Sequence, residues 1–148
     1  MSEAPLLEFS GVRAHYGPVE ALRDVNVHIF KGEIVSLIGA NGAGKTTLLS
    51  SIFGAPRASS GHILHKGEDI SRVPTNRISR RGIALVPEGR QIYQDMSVEE
   101  NMMMGTTPIG MAHFDEDRAT MFDLFPRLKE RRNQTAGTMS GGEQQMLA

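Results

Sequence analysis

Eight consecutive residues, Gly39-Ala40-Asn41-Gly42-Ala43-Gly44-Lys45-Thr46, match the pattern G-x-x-x-x-G-K-[ST] without a departure. Each residue type there has a chemical reason. Glycines let backbone N–H groups turn inward around an anion, where a side chain would block its approach. A helix opening at the end of such a loop aims its positive dipole end and unpaired N–H groups at the same point. Lys45 has the reach and charge for terminal phosphates, the Thr46 hydroxyl is placed for Mg²⁺, and Thr47 follows on the opening turn. The chemistry implied is binding of a nucleoside triphosphate.

Two further groups carry polar chemistry. Ser140-Gly141-Gly142-Glu143 reads as an N-cap serine followed by two glycines, so a helix opening at Gly141 would expose a second set of unpaired N–H groups. Glu88 closes the apolar run Ile83-Ala84-Leu85-Val86 after Pro87, where an acid could meet a metal ion or a water. The helix that opens at Gly141 has completed barely two turns when the sequence stops at Met146-Leu147-Ala148, with no closing Gly or Pro. The expectation is a chain cut after this motif.

The elements that must hold these groups follow from pattern. Leu6–Ser10 and Val12–Tyr16 read as short strands, and Val25–Ile29 alternates with period two. Ile34–Ile38 is predicted to be a buried strand leading into the phosphate loop, and Thr47–Phe53 a helix leaving it. Ser59-Ser60-Gly61 and Lys66-Gly67 bracket a hairpin arm, and Asn76–Arg81 is a short helix capped by Thr75 and ended by Gly82. Ile83–Val86 reads as a strand buried on both faces. Ser97-Val98-Glu99-Glu100 is a capping box that opens a helix ending at Gly105. Asp115–Leu124 is a second helix, Pro126 interrupts it, and 127–132 is basic. Antiparallel strands first and strand–helix alternation later argue an α/β domain that begins with a β subdomain. The division expected is 1–87 for the β subdomain and phosphate-loop core and 88–148 for a helical part.

Composition sets outer bounds. The 148 residues carry 16 basic and 17 acidic side chains, without the strong basic excess of a nucleic-acid binder. There is no cysteine and hence no disulfide framework, and no run of about 18 apolar residues that would span a membrane. The N-terminus lacks the charged and apolar regions of a signal peptide. A cytoplasmic chain is expected.

A phosphate loop followed about a hundred residues later by Ser140-Gly141-Gly142-Glu143-Gln144 resembles the nucleotide-binding domain of ABC transporters, a P-loop NTPase fold. The family's signature is usually Leu-Ser-Gly-Gly-Gln, so Met139 and Glu143 depart from the commonest form. Three further stretches, Ile38–Lys45, Ser97–Asn101 and Phe125–Arg131, together with Pro87-Glu88-Gly89-Arg90, resemble the branch that imports branched-chain amino acids. The resemblance covers Leu6 to Ala148. It implies that Tyr16 stacks on adenine beside Val19. It implies that Gly39–Thr47 hold ATP with Mg²⁺ on Thr46, and that Glu88 stands where most relatives carry a glutamine near metal and water. It implies that Ser140, Gly141, Gly142 and Glu143 face the nucleotide of a second ATP-binding subunit in a head-to-tail dimer. Residues from Glu88 to about Gly110 would meet transmembrane permease subunits and hold the chain at the inner face of the membrane. The family's later strand, with its Asp and Glu, and its switch histidine have no counterpart here. His15, His28, His62, His65 and His113 all precede the signature. ATP binding with little or no hydrolysis is therefore expected.

Two other readings fit parts of the pattern. A compact self-contained phosphate-loop enzyme could use Glu88 for acid–base or metal work, although Pro87 stands where an Asp would be wanted. A nucleotide-binding interaction module without turnover is the other. Within the importer reading, urea or a related amide is the alternative solute.

Overall fold

The computed structural model describes residues 4–148. The chain divides into two compact units, one ending at Ile83 and the other spanning Ala84–Ala148.

The first unit is built on a four-stranded antiparallel sheet in the order β2-β1-β3-β4. β1 (Leu7–Tyr16) and β2 (Val19–Ile29) form a hairpin, and β3 (Ala58–His65) pairs with the other edge of β1. The short β4 (Glu68–Asp69) folds back on β3 through the turn Lys66-Gly67, both of whose residues have positive φ as a tight hairpin turn requires. The sequence reading of two strands over Leu6–Tyr16 merges into one. Gly11 interrupts the register with φ +60° rather than ending the strand. Opposite it, a Cβ on Gly61 would lie 2.3 Å from the Gly11 carbonyl oxygen, so the two backbones meet where no side chain fits. β2 begins six residues before the predicted Val25, because pairing with β1 extends it across Val19–Asp24, a mixed stretch that shows no alternation.

One face of the sheet is covered by α1 (Lys45–Ser51) and α2 (Thr75–Ser79). Phe9, Val12, Ala14, Leu22 and Ile63 from the strands pack with Leu48 of α1, the following Ile52, Ile70 and Ile78 into one buried cluster. α2 is capped differently from expectation. Pro74 holds the N-cap position, and the Thr75 hydroxyl donates to the Phe53 carbonyl at 2.8 Å.

Two predicted strands, Ile34–Ile38 and Ile83–Val86, are corrected by the structure. Neither segment has strand pairing, and Ile34 and Ile38 are 98% and 95% exposed. The physical reason is that a strand exists through its ladder partner. An apolar run supplies the side chains but not the neighbouring N–H and C=O groups. Among the described residues no segment pairs with either run.

The second unit is helical. α3 (Val98–Gly105), α4 (Phe114–Leu124), α5 (Pro126–Glu130) and α6 (Gly141–Leu147) follow in order, with a 3₁₀ turn at Ala136–Thr138. Val98, Phe122, Leu128, Ala136 and Met139 form its core. The capping box at α3 is present as read, with the Ser97 oxygen accepting from Glu100 N–H and the Glu100 carboxylate from Ser97 N–H. Asn101 is buried and makes the joint between α3 and the preceding loop. Its amide oxygen accepts from Tyr93 N–H at 2.7 Å, and its amide nitrogen donates to the carbonyls of Tyr93 and Ser97, both at 2.9 Å.

Candidate functional site: a phosphate loop and a capped signature helix

In the first unit, Gly39–Gly44 form an exposed loop that closes at the first turn of α1. Gly42 and Gly44 have φ of +82° and +90°, the left-handed region that a side chain disfavours. The Lys45 ammonium folds back across this loop and donates to the carbonyls of Gly39 and Ala40, each at 2.8 Å. An ammonium has three donors, so one remains for a phosphate oxygen, and the other two hold the loop's own backbone in place. Thr46 is exposed at the start of the helix and Thr47 half-buried, while Leu48 behind them anchors the helix in the core.

Tyr16 and Val19 are cross-strand partners flanking the β1–β2 turn, and both side chains are largely exposed. β2 then runs from Val19 to Ala21, against whose backbone Gly44 packs. Two strand residues, about 7 Å of chain, therefore connect the tyrosine turn to the residue beneath the phosphate loop. An exposed aromatic face and a glycine loop crossed by the Lys45 ammonium, joined through β2, suit a base and a polyphosphate of one nucleotide.

In the second unit, Ser140 caps α6. Its Oγ accepts from Glu143 N–H, while the Glu143 carboxylate accepts from Ser140 N–H at 3.0 Å and from its hydroxyl at 2.8 Å. Hydrogen bonds from the Ser140 hydroxyl, then from its backbone N–H, and the charges of Arg131 and Arg127 hold the Glu143 carboxyl below the usual range. Arg131 Nε lies 3.2 Å from Glu143. Gly141 and Gly142 follow on the first turn, and only Gly142 is exposed with open space around its Cα.

Gln144, Arg90 and Arg131 stand in motifs read from the sequence, but their contacts at this cap were not legible there. Gln144 donates to the carbonyls of Ala136 and Gly137, and accepts from Arg90 Nη1 at 3.0 Å. Arg90 lies against Gly141, where a Cβ would come within 3.0 Å of its guanidinium. Arg90 and Gln144 are 54 residues apart, so no local pattern relates them. Glu88 stands exposed on the turn before Arg90, with no side-chain hydrogen bond among the described residues. A cavity of about 420 Å³ in this unit is lined by Tyr93, Met104, Ile109, Phe114 and Met121. Met102 packs against the helical core, and Met103 and Met104 are exposed, so the methionine run is divided between packing and surface. No group of three metal-ligating side chains occurs among the described residues.

The family model described as ABC transporter matches residues 22–148. This chain belongs to the ABC transporter family. The high-affinity branched-chain amino acid transport ATP-binding protein BraG of Pseudomonas aeruginosa is 51% identical over 97% of this chain and 61% of its own length. The probable branched-chain amino acid transport ATP-binding protein LivF of Archaeoglobus fulgidus is 35% identical over 93% of this chain and 58% of its own length. Among solved structures, an ATP-binding subunit of an ABC transporter superposes with TM-score 0.82 at 28% identity, over 96% of this chain and 59% of that one. An ATP-binding cassette at 24% identity has TM-score 0.83 and shows the same fold. The chain thus spans about three fifths of the length of the relatives it matches. The ABC cassette fold read from the phosphate loop and Ser140-Gly141-Gly142 is the observed one. No helix among the described residues is long and apolar enough to cross a membrane.

Proposed function

We propose that this chain is the ATP-binding portion of an ABC importer subunit for branched-chain amino acids. The observation that carries the proposal is the phosphate loop closed by Lys45 on the carbonyls of Gly39 and Ala40, on a chain 51% identical to BraG. Gly39–Thr47 hold the phosphates of ATP, Thr46 supplies a hydroxyl to Mg²⁺, and Tyr16 with Val19 receives the adenine. Ser140, Gly141, Gly142 and Glu143 serve a second ATP-binding subunit in trans. The methionine-lined cavity beside α3 receives a permease subunit, which places the protein at the inner face of the membrane. Urea or a related amide is the alternative solute, since no residue of the phosphate loop reads it.

Lys45→Ala is the test. Hydrogen bonds to charged groups contribute about 1.5–3 kcal/mol, so the variant should bind Mg-ATP about 10- to 100-fold more weakly. Unchanged affinity in a folded Lys45→Ala protein would overturn the assignment. The 148-residue chain is expected to release no phosphate above the level of that variant. Turnover that Lys45→Ala abolishes would instead favour a self-contained enzyme with Glu88 as its acid.

A further inference from the structure

A second basic feature lies in the first unit, away from the phosphate loop in sequence. Between Arg57 and Arg81 the chain carries six basic residues against two acids, although its overall charge is −1. Three of those arginines, Arg72, Arg77 and Arg81, line a cavity of about 440 Å³ together with Asp69, Val73 and Pro74.

The acids in this region are occupied by other partners or by Arg81, which leaves Arg72 and Arg77 without an acid partner among the described residues. Asp69 Oδ1 accepts from the Ser71 backbone N–H at 2.9 Å and from the Ser71 hydroxyl at 2.6 Å, and Oδ2 lies 2.7 Å from His62 Nδ1. These partners, the Ser71 hydroxyl foremost, hold the Asp69 carboxyl down to about 2 without help from any arginine. Glu68 pairs with Arg81 at 2.5 Å and fixes that guanidinium at the rim. Arg57 Nη1 donates to the Arg72 carbonyl, which pins the backbone that carries Arg72. The guanidiniums of Arg72 and Arg77 have no acceptor among the described residues. Like charges gathered around one concavity repel each other, and an anion between them removes that cost. Guanidinium forks match phosphate oxygens two at a time.

We propose that Arg72, Arg77 and Arg81 form an anion site that takes a phosphate group of charge −2, carried by a free phosphorylated molecule or by a lipid headgroup. The site is independent of the nucleotide reading, because none of its residues belongs to the phosphate loop.

The probe is inorganic pyrophosphate, titrated calorimetrically into the Lys45→Ala chain so that the phosphate loop contributes little. Cosedimentation with phosphatidylcholine vesicles containing phosphatidic acid is the second arm. Saturable binding in either arm, weakened at least tenfold by Arg72→Gln with Arg77→Gln, is the expected result. Binding in the first arm alone assigns a free phosphate, and vesicle binding assigns a headgroup. Lys66→Gln removes a charge from the same segment but not from the cavity wall, and should leave affinity within about twofold. The proposal is overturned if neither probe binds, if the double variant binds as tightly as its parent, or if Lys66→Gln weakens binding as much. Both arginines are exposed, and thermal melting checks that the variants are folded.

Discussion

A Cβ on Gly44 would lie 2.8 Å from the carbonyl oxygen of Ala21, closer than real side chains approach a backbone oxygen. That contact ties the end of the phosphate loop to β2, three residues after the turn that presents Tyr16. The same glycine has φ +90°, so neither the space nor the backbone conformation admits a side chain. Gly44→Ala should therefore cost about 1–3 kcal/mol of stability and displace the loop. Chemical denaturation reads the first effect, and ATP titration of the folded variant should read a loss of tenfold or more. A variant of wild-type stability and affinity would mean that loop and strand are not held together as described.

Tyr16 tests the base rather than the phosphates. Stacking of a base on an aromatic ring is worth about 1–3 kcal/mol, so Tyr16→Ala should weaken ATP about 5- to 100-fold. Tyr16→Phe should keep most of the affinity, since the ring face does the work. Inorganic tripolyphosphate should bind all three proteins alike. A loss of tripolyphosphate binding in Tyr16→Ala would show that the turn had moved the phosphate loop and that stacking was not being measured.

The cap of α6 makes a stability prediction. Ser140→Ala removes the oxygen that accepts from Glu143 N–H and the hydroxyl that donates to the Glu143 carboxylate, leaving that carboxylate only the backbone N–H of residue 140. The expected loss is about 1 kcal/mol in urea denaturation. Ser140→Asp keeps an acceptor at the N-cap but sets a second carboxylate beside Glu143, and should recover only part of it.

Asn101 is the buried polar joint of the second unit. Asn101→Leu leaves Tyr93 N–H without an acceptor, while the Tyr93 and Ser97 carbonyls keep their backbone donors, Met96 N–H and Asn101 N–H. An unsatisfied group costs about 1–3 kcal/mol when buried, so with one partly buried N–H orphaned a loss near the bottom of that range should appear as a lower urea midpoint. Faster amide exchange at Tyr93 would locate the damage.

His65 gives a pH dependence with a definite sign. Burial foremost, then the charges of Lys66 and Arg81, lowers its pKa in the folded protein, so the folded state favours the neutral ring. Its contribution is present above the unfolded value of about 6.5 and is lost as pH falls through the lower folded value. Melting temperature should therefore drop as pH falls below about 6.5, and His65→Phe should flatten that part of the profile. An identical slope in wild type and variant would assign the effect elsewhere.

The residues that were legible in the sequence are those whose partners lie within one turn or one hairpin. Ser97 with Glu100 and Ser140 with Glu143 are capping boxes because three residues separate donor and acceptor, and both appear as read. Lys66-Gly67 declared its turn by residue type alone. The glycines of the phosphate loop were legible as positions without a side chain, and the structure gives Gly42 and Gly44 positive φ. The ABC family itself was legible for the same reason, since Gly39–Thr46 and Ser140–Gln144 are short contiguous motifs.

What the sequence could not supply was the identity of distant partners. Ile34–Ile38 and Ile83–Val86 have strand-like composition, but pairing is a property of two segments, and no described segment pairs with them. Arg90 meets Gln144 across 54 residues, Gly61 meets Gly11 across a strand, and Arg72, Arg77 and Arg81 share a cavity because β4 and α2 bring them together. Sequence determined which backbone conformations and local hydrogen bonds were available, because those depend on side chains a few residues apart. Tertiary structure decided which charges share a wall and which glycines touch another chain segment, because those depend on loop closures whose energies no local pattern carries.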